Sequence, residues 1–154
     1  MGIRGVDMKK YITSSADETK RVGEMLSSDL QAGDVVLLSG DLGAGKTVIA
    51  SGIVGALTQN SYTVTSPTFT IVNQYDGTGA GVNVNHFDFY RIESPDELDN
   101  IGIYEYLYSD SVNLIEWSER APEVIGDDLR TFHVYIKKLS DTKREITIDC
   151  VGEV

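Results

Sequence analysis

Lys46 and Thr47 close the run Gly40-Asp41-Leu42-Gly43-Ala44-Gly45-Lys46-Thr47, and those residue types at that spacing suit phosphate. Glycines let the backbone curl until successive N–H groups converge on the β- and γ-phosphates of a nucleotide. Lys46 reaches the phosphate oxygens, and the Thr47 hydroxyl suits a Mg²⁺ ion bridging them. The flanks agree with this reading. The apolar run Val35-Val36-Leu37-Leu38 precedes the glycines, and Val48, Ile49, Ile53, Val54 and Leu57 follow at helical spacing. A helix opening there adds unpaired donors and a partial positive charge. Strand, glycine loop and helix is the order a P-loop requires, and a stray glycine turn beside a surface lysine predicts neither flank. The cofactor-binding residues expected here are Asp41, Leu42, Gly43, Ala44, Gly45, Lys46, Thr47 and Val48, with Lys46 also in a catalytic role. The ligand class is a nucleoside triphosphate.

Two carboxylates stand where apolar strands end. Asp88 lies in His86-Phe87-Asp88-Phe89-Tyr90-Arg91, where alternation sends His86, Asp88 and Tyr90 to one face and Phe87 and Phe89 to the other. Asp88 is placed to hold a Mg²⁺-bound water or to orient the attacking one. Glu116, directly after Ser111-Val112-Asn113-Leu114-Ile115, is the second candidate for the metal or the hydrolytic water. His86 reads as a hydrogen-bonding structural residue rather than a metal ligand. Thr65-Ser66-Pro67-Thr68-Phe69 combines hydroxyls with one stiff proline. It is either a loop entering a strand or a switch that senses the γ-phosphate through Ser66 or Thr68. Trp117 is a lid, a partner contact or a core-edge residue. Arg91 and Arg120 are the cations best placed in sequence to meet phosphate, unless they pair with nearby acids.

The elements that must carry these groups follow from periodicity and capping. A short strand is expected near Tyr11-Ile12. Ser15-Ala16-Asp17-Glu18 has the form of a capping box and predicts a helix over 16–30, whose start could approach the nucleotide base. The loop helix closes at Gln59-Asn60-Ser61. Strands are expected over 69–75 and 82–89, and the short glycine turn between them requires an antiparallel pair. The sheet is therefore mixed. Ser94-Pro95-Asp96-Glu97 starts a further helix, which Gly102 weakens or divides. Tyr104, Tyr106 and Tyr108 cannot share one helical face, so most are half-buried packing groups. Strands over 111–115, 129–138 and 145–150 complete the sheet.

The chain has 154 residues, 41% of them hydrophobic, and only 3 prolines, which suits one globular domain spanning 1–154. No apolar run approaches a bilayer span, and no signal-like segment opens the sequence. One cysteine and 2 histidines supply neither a disulfide framework nor a zinc cluster. A cytoplasmic location is expected. The net charge of -11, from 13 basic and 24 acidic residues, argues against a surface that grips DNA or RNA by itself. Two readings of this acidity stand: any nucleic acid is held by a partner, or the charge simply aids solubility.

Four blocks carry a family resemblance: the P-loop, Ser66-Pro67-Thr68-Phe69, His86 to Arg91, and Ile115-Glu116-Trp117-Ser118-Glu119-Arg120. In kind, order and spacing they resemble the bacterial TsaE family, formerly YjeE, over about Ser14 to Arg144. The resemblance implies an α/β, P-loop NTPase-like three-layer fold whose central sheet is mixed, mostly parallel, and about seven-stranded. It implies a Mg²⁺-dependent ATPase needed for threonylcarbamoyl modification of tRNA adenosine 37, joining the TsaB–TsaD complex, with ATP binding promoting assembly and hydrolysis resetting it. Lys46 would bind phosphate, Thr47 and Glu116 would hold Mg²⁺, Asp88 would support hydrolysis, and Ser66 and Thr68 would form the switch. The chain departs mildly at Val48, where many relatives carry another threonine, and at Ile101-Gly102, where the usual pair is Leu-Gly. Three rivals are set against this reading. A small-molecule or nucleoside kinase usually needs a basic lid, and no arginine-rich lid segment is present. A GTPase needs an Asn-Lys-x-Asp motif, which the sequence lacks. A nucleotide-gated interaction protein with negligible turnover would use the same loop residues.

Overall fold

The computed structural model describes residues 8–41, 43–67 and 70–151. In chain order the elements are β1 (Lys9–Thr13), α1 (Ala16–Ser27), β2 (Val35–Gly40), α2 (Lys46–Thr58), β3 (Val72–Tyr75), β4 (Asn83–Asp88), α3 (Asp96–Asn100), α4 (Ile103–Leu107), β5 (Ser111–Glu116), β6 (Thr131–Lys138) and β7 (Arg144–Val151). The seven strands form one sheet in the order β1-β7-β6-β2-β5-β4-β3. The central strands β6, β2, β5 and β4 pair in parallel, and the antiparallel pairs lie toward the edges. This is the expected mixed α/β sheet with a parallel centre, including the antiparallel β3–β4 pair.

β2 is apolar without alternation because both its faces are covered. Val36 and Leu38 join the core beneath α1 and α2, while Val35 and Leu37 join the one beneath α3 and α4. Three layers result, helices on either side of the sheet. α1 begins as its capping pattern requires: Ser15 Oγ accepts from Glu18 N at 3.1 Å, and Glu18 Oε1 accepts from Ser14 N at 2.7 Å. It ends at Ser27 rather than residue 30, because Asp29 N and Leu30 N turn back to Leu26 and Ser27 carbonyls three residues earlier. Leu30 still packs in the core, which explains its helical spacing in the sequence.

α1 lies against α2 with backbone nearly touching backbone. A Cβ on Gly52 would stand 2.2 Å from Lys20 O, and one on Gly23 would stand 2.4 Å from Ile49 O. This close approach locks α1 to the helix that carries the phosphate loop. On the other face Gly102 takes φ +73° and divides the later helical segment into α3 and α4. Tyr106 packs edge-on against Phe87, while Tyr104 and Tyr108 are exposed. β3 starts at Val72 rather than residue 69, and Phe69 lies outside the described residues. β6 starts at Thr131, with Leu129 already buried in the turn before it.

Candidate nucleotide site at the carboxyl ends of the parallel strands

β2, β4 and β5 end side by side, and their last residues define the site. Leu38 of β2 is in register with Glu116 of β5, which is in register with Asp88 of β4. The two carboxylates are thus cross-strand neighbours, next to the loop that leaves β2. Ligands of open α/β sheets gather at such carboxyl ends. A cavity of about 820 Å³ opens there, lined by Gly43, Gly45, Lys46, Thr47, Val48, Ser66, Asp88 and Glu116 among others. The structure therefore brings eight of the expected residues to one space. Ala44 is buried in the core, its N–H donating to Asp41 O at 3.0 Å, and Asp41 is exposed; neither lines the cavity. Leu42 and Thr68 lie outside the described residues.

The polar groups form a continuous chain. Thr47 Oγ1 is 2.9 Å from Ser66 Oγ, which donates to Glu116 Oε2 at 3.4 Å. His86 Nε2 is 2.6 Å from that same Glu116 oxygen, and the histidine is fully buried. His86 thus has the hydrogen-bonding role read from the sequence. Asp88 Oδ1 accepts from Tyr90 N at 2.9 Å. Burial pushes the Asp88 carboxyl above its ordinary range, against the pull of that hydrogen bond, and the Glu116 charge adds to the rise.

Lys46 is 7% exposed, and its Nζ donates to Gly40 O at 2.7 Å. The same ammonium lies 4.5 Å from the centre of the Trp117 ring. Trp117 adopts φ +60°, a left-handed conformation that a bulky residue keeps only when its surroundings hold it there. It packs on the second core and lines the cavity, so it is both a core-edge residue and a wall of the site. The Tyr90 ring lies tilted against it, centroids 4.8 Å apart, and the Arg120 guanidinium covers Tyr90 at 5.3 Å. Arg91 lines the cavity, whereas Arg120 does not.

Sequence reasoning missed Arg144. Its Nε donates to Ala44 O at 2.7 Å, and Nη2 reaches Gly43 O at 3.4 Å, so a β7 side chain holds the phosphate loop. No local signal marks it, since a basic residue beside a hairpin turn is ordinary. Pro67, Thr70, Ile71, Ile92 and Glu97 also line the cavity without having been expected there.

Hydroxyl and carboxylate oxygens are the donor set Mg²⁺ prefers. Among the described residues no group of three or more His, Cys, Asp or Glu could enclose a metal. Thr47 and Glu116 are the side chains of this set that could hold such an ion, joined through Ser66. A parallel-centred α/β sheet with a glycine loop at its carboxyl edge, followed by Lys46 and Thr47, defines a P-loop protein. The model of the family described as threonylcarbamoyl adenosine biosynthesis protein TsaE matches residues 13–146. The tRNA threonylcarbamoyladenosine biosynthesis protein TsaE of Bacillus subtilis is 37% identical over 93% of this chain and 86% of its own length. The protein of the same name from Treponema pallidum is 35% identical over 90% and 98% respectively. The crystal structure of Bacillus subtilis YdiB superposes with a TM-score of 0.74 at 32% identity, covering 97% of this chain and 90% of that one. The chain belongs to the TsaE family.

Proposed function

We propose that this protein binds and hydrolyses ATP with Mg²⁺, and that it does so with the TsaB–TsaD complex during threonylcarbamoyl modification of tRNA adenosine 37. The observation that supports this most is the meeting of Lys46, Thr47, Ser66, Asp88 and Glu116 around one cavity at the ends of β2, β4 and β5. The relatives named for tRNA threonylcarbamoyladenosine biosynthesis supply the pathway.

Thr47 Oγ1 and Glu116 would hold the Mg²⁺ ion, which when bound spreads charge from the γ-phosphoryl group. Lys46 would exchange its bond to Gly40 O for phosphate oxygens and stabilise the same developing charge. Ser66, 2.9 Å from Thr47 Oγ1, and Thr68 would form the switch that senses an occupied site. Asp88 would orient the attacking water or support the metal's water shell. The base would lie in a cleft of about 310 Å³ lined by Ser14, Ser15, Thr19, Gly45, Val48 and Arg144, where the start of α1 meets the loop.

The test is Mg²⁺-dependent ATP hydrolysis by the purified chain, alone and with TsaB–TsaD. Weak turnover that rises with the partners and disappears in Lys46→Ala is expected. Phosphate transfer to a nucleoside or sugar, with no response to TsaB–TsaD, would replace this reading with the kinase one.

A further inference from the structure

Arg144 opens β7 and lies 100 residues beyond Ala44, yet it is fastened to the phosphate loop. Nε donates to Ala44 O at 2.7 Å and Nη2 to Gly43 O at 3.4 Å. Nη1 donates to Ser140 O at 2.8 Å, Lys143 O at 3.1 Å and Asp141 O at 3.4 Å. All these acceptors are backbone carbonyls. The planar fork of the guanidinium therefore ties two backbone segments, the phosphate loop and the β6–β7 turn, to each other.

We propose that Arg144 is a positioning residue for the phosphate cradle, an inference that rests on the nucleotide reading above. In a trans peptide unit the C=O and the following N–H point in opposite directions. Holding Ala44 O against β7 therefore aims Gly45 N–H away from β7, and Gly45 lines the cavity. The loop needs such a restraint. Gly43 at φ +79° and Gly45 at φ +116° occupy conformations that glycine leaves as readily as it enters. Without a fixed carbonyl the peptide units between them can turn, and their donors no longer converge on phosphate. Arg144 also brings a cation beside the loop of a chain whose net charge is -11. It acts through the loop backbone and touches no reacting atom.

Arg144 also lines the cleft assigned to the base, so the experiment must separate cradle from base. Calorimetric titration of the wild-type chain, Arg144→Lys and Arg144→Met with ADP and with inorganic tripolyphosphate does this, alongside thermal unfolding without ligand. Arg144→Met should lose about tenfold in affinity for both ligands while unfolding within a few degrees of wild type. Arg144→Lys should fall between, since one ammonium cannot hold two segments as the fork does. Loss confined to ADP, with tripolyphosphate unaffected, would overturn the proposal and make Arg144 a base contact. Unchanged affinity for both ligands would overturn it outright, as would weakened binding that follows a lowered unfolding temperature across the two variants. A wild-type chain that bound neither ligand would remove the nucleotide reading itself, and the cradle with it, before any variant was compared.

Discussion

His86 Nε2 lies 2.6 Å from Glu116 Oε2, with the histidine side chain fully buried and the glutamate side chain 4% exposed. Among the described residues His86 Nδ1 has no hydrogen-bond partner. Placing the proton on Nε2 gives the carboxylate its donor and leaves Nδ1 as an unfilled acceptor, which avoids burying an unpaired N–H. The pair fixes the glutamate that is proposed to hold Mg²⁺. His86→Leu roughly keeps the volume and removes the donor. It should destabilise the fold by about 1–3 kcal/mol in urea unfolding. It should also raise, several-fold, the Mg²⁺ concentration needed to tighten binding of a non-hydrolysable ATP analogue. If urea stability falls while the Mg²⁺ dependence stays put, His86 supports the fold and not the ligand.

Trp117 is the chain's 1 tryptophan, and the Lys46 ammonium lies 4.5 Å from its ring centre. Nucleotide binding should draw the ammonium toward phosphate and so change the ring's nearest charge. Adding ADP should therefore change tryptophan emission in a saturable way. Lys46→Ala should alter the emission before any ligand is added, and should abolish the response to ADP. A wild-type emission unaffected by saturating ADP would mean that Lys46 stays over the ring.

Much of this was legible in the sequence because short patterns carried it. The glycine loop, its flanking strand and helix, and the carboxylates after apolar runs each have a local cause. The alternation around Phe87 and Phe89 placed Asp88 on the face opposite those rings, toward the site. Two kinds of feature were not legible. Arg144 acts across 100 residues through backbone carbonyls, and no spacing rule links a hairpin arginine to a loop at that separation. Trp117 owes its place to a left-handed backbone, which local propensity assigns to glycine or asparagine before tryptophan. The length of α1 was overread because Leu30 is buried from a turn rather than from a helix.

Gly52 and Gly55 share α2 and should respond oppositely to alanine. A methyl group on Gly52 meets Lys20 O at 2.2 Å, so α1 would have to move off α2. A methyl group on Gly55 meets nothing within 4 Å. Gly52→Ala should cost about 1–3 kcal/mol through overpacking. Gly55→Ala should stabilise by about 0.5–1 kcal/mol, because it restricts the unfolded chain in a helix that tolerates it. Denaturant midpoints measure both. Equal effects would mean that the contact between the two helices does not constrain α2.

Asp88 links stability to pH through its raised carboxyl. In the unfolded chain it loses its proton near 3.8, and in the folded chain at a higher pH. Between those values the folded state binds more protons, so stability falls as pH rises through the window. Above that window the carboxylate is ionised in both states, and its desolvation weighs fully on the folded one. Asp88→Asn removes that charge and keeps an oxygen for Tyr90 N, which donates to Asp88 Oδ1 at 2.9 Å. The variant should melt above wild type at neutral pH, with chelator present and no nucleotide. The difference should be small, since about 2–4 °C corresponds to 1 kcal/mol at this chain length, and it should shrink as pH falls toward about 4. Single-turnover hydrolysis should fall by about 100-fold in the same variant, with ATP still bound. A neutral-pH melting temperature below wild type would show that the Asp88 charge stabilises the empty site, and would reverse the sign argued here.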